Sequence, residues 1–83
     1  MSTHNKLKEK LLSKPYPSDI TFDELDGFLK REGFTCERAR GSHFMYAHGD
    51  LPQILCIPRA NPVKAAYIKQ VAQAVEIIEN RER

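Results

Sequence analysis

The spacing of apolar residues changes twice along this chain, and that change constrains the fold more than any other feature. Phe22, Leu25, Phe28 and Leu29 recur every three or four residues, the stripe of one helix face. After Gly33 the period drops to two. Phe34 to Arg40, Ser42 to His48 and Gln53 to Ile57 read as three short strands, separated by Gly41 and Gly49-Asp50 and closed by Pro58. Beyond Asn61-Pro62, taken as a cap followed by proline at the first helical position, the spacing is helical again. Val63, Tyr67, Val71, Ala74, Val75 and Ile78 trace one face of that last helix. Short connections make the strands an antiparallel meander with the second in the middle, and such a sheet buries one face under helices and leaves the other wet.

Local signals sharpen the helix ends. Thr21 followed by Glu24 fits a capping box, with Ile20 and Leu25 placed for a hydrophobic staple. Gly33 is a left-handed stop. Gly27 inside the same helix costs about 1 kcal/mol against alanine, which close packing on the sheet would explain. Residues 4–13 form a further short helix carrying Leu7, Leu11 and Leu12, ended by Pro15-Tyr16-Pro17. At ten residues it needs a surface to dock on. The order is α-α-β-β-β-α, an α+β fold. Eighty-three residues allow a single domain with a thin, two-layer core, here a helical extension over 1–17 and a folded unit over 18–83.

Charge and cysteine usage exclude several classes. A net charge of +2 is too small to announce a nucleic-acid partner by itself. The charge is unevenly spread: residues 1–14 carry +3, 15–33 carry −3, and 34–60 and 61–83 carry +1 each. No run of eighteen apolar residues exists to span a membrane, and the first residues lack the apolar segment of a signal peptide, so a cytoplasmic location is expected. There, Cys36 and Cys56 are expected as reduced thiols packed like small hydrophobes. No Cys-x-x-Cys pair or His/Cys cluster at ligand spacing points to structural zinc.

The chemistry gathers where the central strand begins, at Arg40-Gly41-Ser42-His43. Alternation puts Phe44, Tyr46 and His48 on one side and His43, Met45 and Ala47 on the other. The two aromatics are the better core residues, so His43 points to the wet face, where an imidazole can exchange protons near neutral pH. By pattern alone, a solvated strand residue is the alternative. Ser42 faces away from its neighbour His43 and cannot pair with it as a nucleophile; its hydroxyl suits the turn. His48 falls on the core side beside a turn, which favours a structural role. Tyr67 is most simply core.

At this tetrapeptide the chain resembles the HicA, or YcfA-like, family of bacterial toxin–antitoxin ribonucleases. The matching pieces are Leu25 to Leu29, Gly33-Phe34, Arg38 to Arg40, Gly41-Ser42-His43, Tyr46, Ile57-Pro58 and Lys64. The resemblance implies a double-stranded-RNA-binding-like fold, cleavage of messenger RNA, and an essential histidine, here His43. It also implies a HicB-type antitoxin as protein partner. Because RNA supplies its own 2′-hydroxyl nucleophile, no cofactor or metal is expected, and 83 residues with one open sheet face are compatible with a monomer when free. Arg40, Arg59 and Lys64 are then candidates to hold the phosphate, and Gly41 and Ser42 of the turn are expected to bind RNA beside them. Two departures stand out. Many family members have a histidine just after the Ile-Pro step, where this chain has Arg59-Ala60, and residues up to Pro17 lie outside the usual core. Their four lysines can touch RNA or antitoxin, or simply face solvent. Two other classes fit the same architecture: an RNA-binding module without catalysis, and a protein-interaction domain using the wet sheet face.

Overall fold

The computed structural model describes residues 3–81. Its elements are α1 (Thr3–Leu12), α2 (Phe22–Arg31), β1 (Thr35–Arg40), β2 (His43–Ala47), β3 (Leu55–Pro58) and α3 (Ala65–Arg81). The strands form one antiparallel sheet in the order β1-β2-β3. This is the α+β order expected from the change of period. Among the described residues no helix is long and apolar enough to cross a membrane.

Both ends of α2 are closed by its own sequence. Thr21 Oγ1 accepts the Glu24 N–H while Glu24 Oε1 accepts the Thr21 N–H, and Ile20 and Leu25 are both fully buried. At the other end Gly33 takes φ +95°. Its N–H bonds to the Lys30 carbonyl and the Phe34 N–H to the Leu29 carbonyl, the paired bonds of a Schellman motif. Phe34 and Leu29 are both buried, so the stop also delivers the chain into β1 with its ring in the core.

The core lies on one side of the sheet. Tyr46, Leu55 and Ile57 face Phe22, Leu25, Phe28 and Leu29 of α2 and Ile68, Val71, Val75 and Ile78 of α3, with Leu11 of α1 completing the cluster. Tyr46 is fully buried, and its hydroxyl donates to Asp26 Oδ1 at 2.6 Å. Burial, reinforced by that carboxylate, holds the phenol well above its ordinary pKa. The short helix α1 finds its docking surface through Leu11, which is 0% exposed.

Four local expectations change. Asn61 does not cap the last helix, which starts at Ala65. Its Oδ1 instead accepts the Phe22 N–H at 2.8 Å, satisfying one of the free donors at the start of α2, and Val63 N–H bonds to the Ile20 carbonyl. The connector is thereby stitched to α2. Strand β3 begins at Leu55 because a turn closed by Leu51 N–H to the His48 carbonyl, followed by Pro52, occupies the preceding stretch. Cys36 and Cys56 are exposed free thiols, not buried packing groups: Cys56 pairs with Met45 on the wet face, and every residue of the edge strand β1 is exposed. Gly27 makes no close approach to anything; a Cβ there meets no atom within 4 Å.

Candidate active site on the open sheet face

Strand pairing decides which side chains share the open face, because residues opposite one another point the same way. On β2, Phe44 and Tyr46 face the helices, the Phe44 ring meeting that of Phe22 at 4.9 Å in a tilted arrangement. His43 therefore projects from the other side, and it is exposed. Its partner across the first hairpin is Arg40, and its partner on β3 is Pro58.

The turn between Arg40 and His43 has two residues. Gly41 adopts φ +57° and Ser42 does not have positive φ, the arrangement in which glycine is required at the first position. The tightness of that turn is what brings Arg40 and His43 side by side. The Ser42 carbonyl accepts the Arg59 N–H, so the end of β3 is tied to the same turn. Gly41 and Ser42 thus work through the backbone, as turn and anchor.

The other predicted cations part company here. The Arg59 guanidinium lies 5.7 Å from the centre of the Phe22 ring, a cation–π contact that draws its charge toward the helical side of the sheet. Lys64 is exposed just before α3, where its carbonyl accepts the Tyr67 and Ile68 N–H groups. Of the three proposed phosphate holders, Arg40 is the one that strand pairing sets directly opposite His43.

Arg38, part of the matching basic strand but not counted among the phosphate holders, joins them. The β1–β2 register slips between Cys36 and Arg38, leaving Glu37 as an extra residue. Cys36 pairs with Tyr46, on the core side. Arg38 pairs with Met45 and Arg40 with His43, both on the open side. Uninterrupted alternation from Cys36 would have turned both arginines toward the helices, so the bulge is what aligns Arg38, Arg40 and His43. Because the bulge is set by pairing, no local residue pattern announces it.

His48, at the far end of β2, is structural. Its Nδ1 accepts the Asp50 N–H at 3.0 Å, which leaves Nε2 to donate to the Glu32 carbonyl at 3.2 Å, and the ring meets Phe34 edge-on. That imidazole caps the last turn of α2. Tyr67 is partly buried against the core.

Chemically, the open face combines a solvated imidazole with two guanidinium groups. Among the described residues neither arginine is in an ion pair, and no three His, Cys, Asp or Glu residues gather as a metal site. The family described as HicA toxin of bacterial toxin-antitoxin matches residues 22–77, from the first residue of α2 deep into α3, and the match includes the whole hairpin. No curated protein and no solved structure matches the chain.

Proposed function

The chain belongs to the HicA toxin family of bacterial toxin–antitoxin systems, and on that premise we propose that it is a metal-independent endonuclease of messenger RNA, neutralised by a HicB-type antitoxin. The toxin unit is residues 18–83, with 1–17 as a helical extension. The observation that carries the activity is the position of His43: exposed, on the sheet face that no helix covers, and directly opposite Arg40.

RNA brings its own nucleophile. The 2′-hydroxyl attacks the adjacent phosphorus, a P–O bond forms, and the bond to the 5′ oxygen of the next nucleotide breaks. The products are a 2′,3′-cyclic phosphate and a free 5′-hydroxyl. One proton leaves the 2′-oxygen and one reaches the 5′-oxygen. His43 performs one of these transfers, and water performs the other. Arg40 holds the phosphate and offsets charge as it grows on the non-bridging oxygens. With one positioned proton-transfer group the enzyme is slow, which suits an agent that acts by accumulating damage to messages. An antitoxin that covers the open face blocks both the imidazole and the arginines.

The test compares purified wild-type protein with His43→Ala on a single-stranded RNA oligonucleotide, alongside induction of each in bacterial cells. The variant is expected to lose cleavage and growth arrest while keeping its circular dichroism spectrum and melting temperature. Undiminished cleavage by a folded variant would falsify the assignment. RNA binding with no cleavage by either protein would favour a binding module instead.

A further inference from the structure

The bulge in β1 has a use. We propose that Arg38 is a phosphate-binding residue of this site, so that an RNA strand runs along β1 with one phosphate on Arg40 and its neighbour on Arg38; this rests on the nuclease reading above and defines how the substrate lies.

Three observations carry it. First, Arg38 and Arg40 lie two residues apart on one face of a strand, a separation of about 6.6 Å. That is comparable to the distance between neighbouring phosphates in an extended nucleic-acid strand, so two guanidinium groups can follow one backbone. Second, both are exposed, and neither is in an ion pair among the described residues, so their charge is available to a ligand. Third, the track has an end. Glu37, the extra residue of the bulge, takes the Thr35 hydroxyl on its carboxylate, which sets a negative charge next to Arg38 on the side away from His43. A third phosphate is repelled there. The footprint along β1 is two phosphates, and the scissile one is at the Arg40 end.

Guanidinium contacts to phosphate position a strand without reading its sequence. Removing Arg38 must therefore weaken binding to every RNA sequence alike and lower the salt dependence, by about 0.7 in the slope of log K against log salt for one single-strand phosphate. Binding is measured in the His43→Ala background, where the RNA stays intact, by fluorescence anisotropy of short single-stranded RNA oligonucleotides of different sequence. Arg38→Gln and Arg40→Gln are each expected to reduce affinity several-fold and the slope by that amount. Lys69→Gln, an exposed cation on α3, serves as control and is expected to change neither.

If Arg40→Gln lowers affinity and slope while Arg38→Gln leaves both untouched, the two-phosphate track is wrong and the nuclease assignment survives. If the loss at Arg38 depends on the base sequence, the residue reads bases and the proposal fails. If Arg38→Gln leaves RNA binding intact and weakens only the complex with a purified antitoxin, this face is a protein-docking surface, which also overturns it. Cleavage activity of His43→Ala itself is scored separately, so a failure of the nuclease reading is not confused with a failure of the track.

Discussion

Two basic regions of this molecule look alike in composition and differ in what their charge can do. The N-terminal helix is the more basic by count, yet its lysines are largely occupied. Lys8 lies 3.8 Å from Glu32 and 3.4 Å from Glu79, and Lys10 lies 2.9 Å from Asp19, whose carboxyl it holds below the ordinary value of 3.8. Lys30 on α2 is likewise 3.0 Å from Asp26. The hairpin of β1 and β2 belongs to a segment of net +1, and among the described residues its Arg38 and Arg40 have no acidic partner. What matters for a phosphate is not how many cations a segment contains but how many remain unpaired on one face. Acids of the block over 15–33, Asp19 and Glu32, pair with lysines of α1 and, among the described residues, none pairs with the hairpin arginines, so the block neutralises one region and spares the other.

The comparison can be broken in several ways, and the largest effect is expected on the sheet. His43→Ala should reduce the rate of RNA cleavage by about 10²–10⁴-fold, with thermal melting unchanged because the side chain is exposed and holds nothing. If melting drops instead, the hairpin is structural after all. Leu11→Ala should show the reverse: a loss of about 2–5 kcal/mol of stability in urea denaturation, with cleavage per folded molecule preserved. A smaller loss would mean that α1 rests on the domain without anchoring it.

His48→Ala sharpens the contrast within one strand. It removes an acceptor for Asp50 N–H and a donor to the Glu32 carbonyl, and should cost about 1–3 kcal/mol in the same denaturation assay while leaving cleavage in place. Equal loss of activity in His48→Ala and His43→Ala would show that the two imidazoles share a role. Gly27→Ala should raise stability by about 0.5–1 kcal/mol, since the added methyl meets no neighbour and relieves the entropic cost of a helical glycine. Lys8→Gln should move least, by about 0–1 kcal/mol, and should leave the salt dependence of RNA binding where it was. A reduced slope there would erase the distinction between occupied and available cations.

The candidate site was legible in part. Gly41-Ser42-His43 and the alternation of Phe44 and Tyr46 were enough to place His43 in water, because a strand with two large aromatics on one side has little choice of face. The cations named beside His43 sit in different surroundings. Arg59 lies over a ring on α2, and Lys64 is exposed just before α3. Arg38 is part of the matching basic strand, but its place on the face of His43 depends on the bulge at Glu37, which only the pairing with β2 reveals. Asn61 misled for a related reason. An asparagine followed by proline has the chemistry of a cap, and it does serve the start of a helix, but of α2 and not α3.

The sequence by itself determined the kinds of elements and their order: the capping box of α2, the glycine that stops it, the period of two across three strands and the turn that demands Gly41. These rest on backbone dihedrals and on bonds between residues within a few positions of each other, so local chemistry suffices. Only the tertiary structure decided which cations are spent and which are free, which helix Asn61 caps, and which way Arg38 points. Each of those depends on a partner distant in the chain, and a one-residue slip in strand register reverses a face without changing a single amino acid.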